Sequence, residues 1–160
     1  MILKKFADVR CKLKDHWMKD LFIANVQLEL QQSQDALNIF EKLQYLFPNS
    51  SYLQAQIAMA NYNLTEFIVA QQQFEKLRKD DPYRLENMDT YSNILYVKEA
   101  KASLSFLAHE AHLTDKFRPE TCCIIGNYYS RKGNHEKAVI YFKRALKLDK
   151  NYLSAWTLMV

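Results

Sequence analysis

Turn formers are scarce in this chain: it has two glycines and three prolines in 160 residues. That scarcity excludes a strand-rich fold with many tight turns, and it suits helices joined by short connections. A phosphate-cradling loop cannot be drawn from Gly126 and Gly133 alone, whose expected places are helix packing and an inter-helix turn. Cysteine is also rare, at three residues, and two of them are adjacent at Cys122 and Cys123. Neighbours on a helix cannot easily bridge, so no disulfide framework is expected and the thiols should stay reduced in an intracellular setting. No apolar run approaches the ~20 residues needed to span a bilayer. Nothing resembling a secretory signal precedes the sequons at Asn49 and Asn63, which should be idle. The opening MILKKFADVR is cationic and amphipathic like a transit peptide, but Asp8 and the lack of serine argue against one.

What the chain does hold is a repeat of 34 residues. Small residues recur at Ala24, Ala58, Ser92 and Gly126, with Val160 at the fifth position. A second column runs Ala36, Ala70, Leu104, Ala138, and a third Phe6, Phe40, Phe74, Ala108, Phe142. Leu43, Leu77, Ala111 and Ala145 follow three residues behind the last four, and Pro48 and Pro82 share a position with Lys116 and Lys150. Small residues let two helices approach, the large one fills the space between pairs, and proline stops the second helix. This is the tetratricopeptide signature, and it predicts an all-α, right-handed superhelical solenoid. The third copy departs most: Phe106 lies two residues before the aromatic column, which predicts a local rearrangement there.

Counting in this register gives repeats at 17–50, 51–84, 85–118 and 119–152. Residues 1–16 read as the second helix of an incomplete preceding repeat, and 153–160 as a truncated first helix of a fifth. Polar capping helices are missing from both ends, so Trp156 is expected to expose about 150–250 Å² of apolar surface. The reading is a piece of a longer array, sticky or self-associating at its open ends.

The net charge is +4. Lys4, Lys5, Arg10, Lys12, Lys14 and Lys19 against Asp8 and Asp15 account for all of it, so the body is neutral. The stretch from Arg131 to Lys150 is locally basic, and a solvated helix face explains it better than a nucleic-acid contact. His109 and His112 share a helix face, but a zinc site needs further ligands, so no metal or other cofactor is expected. No nucleophile has a base and an oxyanion donor beside it, and Asp80 and Asp81 are explained by the turn at Pro82. The chain reads as non-enzymatic, without a small-molecule substrate or a membrane contact.

In this fold the first helix of each repeat lines the concave surface. That places Glu86, Asp89, Asn93 and Tyr96 from repeat three beside Glu120, Asn127 and Arg131 from repeat four. Amides there could bond a peptide backbone, tyrosines could pack its side chains, and acids would attract Lys or Arg. A basic peptide is the expected ligand, against the alternative that these residues meet only neighbouring subunits or water. Chaperone-binding arrays carry a lysine where Glu86 stands, which disfavours that kind of adaptor.

The stretches DPYRLENMDTYSNILYV at 81–97, RPETCCIIGNYYSRKGNHEKAVIYFKRALKLDKNYLSAWTLM at 118–159 and WMKDLFIA from Trp17 resemble one family beyond the generic repeat. It is the family of anaphase-promoting complex subunit 8, also called cell division cycle protein 23. The resemblance implies a non-catalytic scaffold of a cell-cycle ubiquitin ligase, found in nucleus and cytoplasm. It would bind other subunits of the complex and receive a basic coactivator peptide. The rival expectations are a free-standing peptide adaptor and, further off, a nucleic-acid-binding helical repeat.

Overall fold

The computed structural model describes residues 16–159, and the expected helix at the start of the chain and Val160 lie outside them. The described residues form nine helices and no strand. They are α1 Trp17–Glu29, α2 Ser33–Leu46, α3 Ser51–Asn63, α4 Phe67–Asp80, α5 Met88–Val97, α6 Lys101–Thr114, α7 Pro119–Arg131, α8 His135–Leu148 and α9 Leu153–Leu158. The chain divides into two compact units, Met1–Gln73 and Phe74–Val160, with the boundary inside α4.

The helix ends follow from local chemistry. Ser50 Oγ accepts from Leu53 N and Asn134 Oδ1 from Lys137 N, each satisfying an amide that the helix leaves orphaned. Pro119 stands in the first turn of α7, where its missing N–H costs nothing. The second helices α2, α4, α6 and α8 all end two residues before the proline column, including the two repeats where that column holds lysine. There Asp115 and Asp149 replace proline as the stop: each carboxylate accepts the amide two residues on, from Phe117 at 2.8 Å and Asn151 at 2.9 Å.

Each first helix ends in the same device, which residue types alone hide. Gln31, Thr65, Glu99 and Gly133, spaced by the repeat, all have positive φ. Gln32 N bonds Gln27 O while Gln31 N bonds Leu28 O, and the same pair of bonds closes the turns after α3, α5 and α7. These are Schellman caps, whose left-handed residue is ordinarily glycine because a Cβ there is crowded. Only the fourth repeat uses glycine. Thr65→Gly is therefore expected to raise the stability of the chain by about 0.5–1 kcal/mol, and Gly133→Ala to lower it by about 1 kcal/mol, in urea denaturation.

The core of the first unit gathers Ala24, Ala36, Phe40, Leu43, Leu53 and Ile57, closed by Leu21, Leu28 and Tyr52. In the second unit Cys122, Cys123, Ala138, Phe142, Ala145 and Ala155 pack together. Every described member of the three repeat columns is buried or, for Gly126, packed against a buried phenylalanine. The expected disturbance at Phe106 is absent: α6 keeps its register, with Leu104, Leu107, Ala108 and Ala111 buried. Phe106 instead faces outward beneath the Arg78 guanidinium, 5.6 Å from its ring centre. Arg78 also lies over Tyr91 and is ion-paired with Glu110, so the displaced aromatic is held by a cation rather than by the core. The irregularity of repeat three lies at α5, which starts three residues later than its counterparts because Asn87 takes a left-handed conformation and Leu85 is buried outside the helix.

Candidate functional site

The seven residues expected to form a peptide groove all lie in the second unit, on or just before α5 and α7. Five of them are engaged with residues of other helices or of the turn after α5. Asn127 is buried on α7, and its Nδ2 donates to Ser92 Oγ at 2.8 Å and to Asn93 Oδ1 at 2.7 Å on α5. Tyr96 and Ser130 join hydroxyl to hydroxyl at 3.3 Å. Arg131 lies over the Tyr96 ring and pairs with Glu99 at 2.6 Å. Spacing explains these bonds, since residues 34 apart occupy equal places on successive first helices. The first unit shows a similar tie between Tyr52 Oη and Asn25 Oδ1 at 2.9 Å.

Asp89 is the fifth. It is buried in the first turn of α5, and Ser154 Oγ, at the start of α9, donates to its Oδ2 at 2.6 Å. The Tyr152 hydroxyl bonds the same carboxylate, and burial together with that negative charge pushes the phenol pKa far up, so it stays protonated and donating. Neither Tyr152 nor Ser154 was expected at the site. Their partner is 65 residues away for Ser154, and no repeat-spaced pattern connects them to an aspartate.

Glu86 and Glu120 are engaged only locally, by arginines. Each follows an arginine by two residues, and the motif recurs at the repeat spacing: Arg84 pairs with Glu86, and Arg118 Nε stands 3.4 Å from Glu120 Oε2. Glu86 is more than half exposed, whereas Glu120 is largely covered. Glu120 Oε2, Arg84 Nε and Arg131 Nε are buried polar atoms with no hydrogen-bond partner. All three belong to side chains that are ion-paired, Glu120 with Arg118 through that oxygen and the two arginines through their terminal nitrogens.

Burial raises the Glu120 pKa above the usual carboxylate range, and the charges of Asp89 and Glu86 raise it further, against the lowering effect of Arg118. A carboxyl that holds its proton more tightly folded than unfolded contributes stability at low pH, and this contribution is lost as pH rises through the folded value. Glu120→Gln is accordingly expected to remove that slope just above the usual carboxylate range and to stabilise the chain at pH 7, measured by thermal unfolding from pH 4 to 8.

The other chemical candidates fall elsewhere. His109 and His112 line a shallow cleft with Tyr128, Tyr129 and Tyr141. Among the described residues no group of three or more His, Cys, Asp or Glu is placed to hold a metal ion. Cys122 and Cys123 are buried free thiols whose pKa values burial pushes up, which suppresses the nucleophilic thiolate. No described helix is long and apolar enough to cross a membrane. Trp156 is half exposed, with its indole N–H donating to Lys150 O at 3.1 Å.

Comparison with known proteins adds lineage to this geometry. Residues 119–152 match the tetratricopeptide-repeat family model, and residues 2–58 match that of anaphase promoting complex subunit 8 / Cdc23. The chain is 60% identical over 147 residues to anaphase-promoting complex subunit 8 of Arabidopsis thaliana, covering 92% of the chain and 25% of that relative. It is 55% identical over 156 residues to the Dictyostelium discoideum subunit 8, covering 96% of the chain and 26% of that protein. The human cell division cycle protein 23 homolog is 53% identical over 98 residues, which is 61% of the chain and 16% of the relative. The chain thus spans about a quarter of the length of the first two. Among solved structures, MamA from Desulfovibrio magneticus superposes with a TM-score of 0.68 at 16% identity, over 91% of this chain and 82% of that one, which shows the tetratricopeptide fold.

Proposed function

Because the chain belongs to the anaphase-promoting complex subunit 8/Cdc23 family, we propose that it is a non-catalytic scaffold segment that binds other subunits of that complex and receives a basic coactivator peptide. The observation that carries the peptide reading is the pair of acids Glu86 and Glu120. One is exposed, and the other is largely covered, with Arg118 Nε 3.4 Å from its Oε2 as its one charged neighbour of opposite sign among the ion pairs of the described residues. A Lys or Arg side chain entering there would add a second cation and lower the pKa of Glu120, so affinity should rise with pH as Glu120 deprotonates.

The inter-repeat bonds narrow the reading. Asn93, Asn127, Tyr96 and Arg131 act as a rigid floor that sets the spacing of α5 and α7, while Glu86 and Glu120 make the contact. Rigidity of this kind limits the ordering cost of binding. The setting is nuclear and cytoplasmic, as the family resemblance implies, and self-association through exposed apolar ends such as Trp156 is a secondary mode.

Glu86→Lys with Glu120→Lys is expected to weaken a basic coactivator peptide by ~1–3 kcal/mol in fluorescence anisotropy. Unchanged affinity would remove these acids from the site. Pull-down of the chain from mitotic extract, with Trp156→Ala as the control for stickiness, should recover subunits of the complex. Recovery that vanished with Trp156→Ala would assign the capture to the exposed indole, and a free-standing adaptor would recover an unrelated partner.

A further inference from the structure

A cavity of about 370 Å³ opens where the start of α6 meets the end of α7, lined by Lys101, Ala102, Leu104, Ser105, Tyr128, Arg131 and Lys132. It brings three cationic residues together on a body whose charges sum to zero. Arg131 is already paired with Glu99, but no ion pair among the described residues engages Lys101 or Lys132. Lys132 Nζ sits 3.5 Å from the Tyr128 hydroxyl and over its ring, so its ammonium is held at the rim.

The helix end adds to this electropositive set. Ala100 caps α6 without any side-chain bond, and the amide of Lys101 bonds Glu99 O at 2.8 Å. Ala102 and Ser103 follow in the first turn, where a helix leaves its amides without internal acceptors and its dipole favours negative charge. The hydroxyls of Ser105 and Tyr128 can donate as well. We infer that this cavity binds a phosphate monoester, as a phosphoserine or phosphothreonine side chain on a partner peptide, with the ammonium groups of Lys101 and Lys132 as its charged donors.

A nucleic acid is the competing source of phosphate, and the ring geometry disfavours it. Single strands need open aromatic faces on which bases stack, together with a track of cations along the backbone. Here Tyr129 and Tyr141 are stacked on each other at an interplanar angle of 16°, Lys137 covers Tyr129, and Lys132 covers Tyr128. The cations are clustered rather than tracked, and a single dianionic group matches them. The acidic pair Glu86 and Glu120 takes no part, so this inference does not depend on the basic-peptide reading.

The test is NMR titration of the 15N-labelled chain with three probes: N-acetyl-phosphoserine methylamide, its unphosphorylated form, and a twelve-residue oligouridine. The expected result is saturable shifts at the Ala102 and Ser105 amides with the phosphorylated probe alone, competed by inorganic phosphate. Lys101→Gln with Lys132→Gln, both at exposed positions, should weaken that binding at least tenfold while leaving the unfolding temperature in place. Equal shifts with the unphosphorylated probe, no shift at all, or affinity unmoved by the double variant would overturn the proposal. Tighter binding of oligouridine would overturn it in favour of nucleic acid.

Discussion

Phe142→Ala is expected to remove about 3–5 kcal/mol from the second unit, the largest effect of any single truncation on the face that carries the site. Phe142 is buried with Cys122, Cys123, Ala138 and Ala145, small residues that cannot by themselves fill the volume its ring leaves. The complementary change makes the same point from the other side. A Cβ on Gly126 would lie 2.7 Å from Cδ1 and 2.8 Å from Cζ of the Phe142 ring, closer than carbon atoms tolerate. Gly126→Ala should therefore cost about 1–3 kcal/mol, and the larger Gly126→Val more. Because the two residues share one contact, their costs should not add: Gly126→Val introduced into Phe142→Ala should be far less damaging than in the parent chain. Urea denaturation of the four proteins measures the coupling. Strict additivity would show that α7 and α8 do not pack through this pair.

That pair also shows what the amino-acid sequence made legible. Glycine at 126 and phenylalanine at 142 were readable as small and large members of two columns, because close packing of helix pairs restricts volume at those positions whatever the neighbours are. The Schellman turns were readable only at Gly133. Their chemistry is a backbone conformation, and Gln31, Thr65 and Glu99 adopt it without a residue type that announces it. The stop in repeats three and four was masked similarly, since Asp115 and Asp149 do with a side-chain bond what proline does with a missing one.

The site was legible in position but not in state. Repeat spacing placed Asn93 beside Asn127 and Tyr96 beside Ser130, yet a periodic pattern cannot say whether polar groups on facing helices turn to a ligand or to each other. A buried amide left unpaired costs roughly 1–3 kcal/mol, so groups that can reach one another do so. Phe106 illustrates the same limit for aromatics: displaced from its column by two residues, it found a guanidinium, a partner 28 positions away that lies outside any column.

Asp89→Ala separates structure from recognition, and a loss of about 3 kcal/mol in stability is expected from it. Two hydroxyls, of Tyr152 and Ser154, donate to this carboxylate from the segment that leads into α9, and hydrogen bonds to a charged acceptor contribute about 1.5–3 kcal/mol each. Truncation also leaves the Tyr152 hydroxyl half-buried without its acceptor. Glu86→Ala, at an exposed residue paired only with the arginine two positions before it, should change stability by no more than about 0.5 kcal/mol. Hydrogen exchange of the α9 amides reads the first effect directly, with protection falling for Asp89→Ala and holding for Glu86→Ala. If the basic peptide binds through Glu86 and Glu120, Glu86→Ala lowers its affinity in a chain of unchanged stability. Asp89→Ala would then lower affinity only to the extent that α9 is released and Glu120 loses a neighbouring negative charge. A peptide that lost all binding with Asp89→Ala and none with Glu86→Ala would place the recognition on α9 and not on the paired acids.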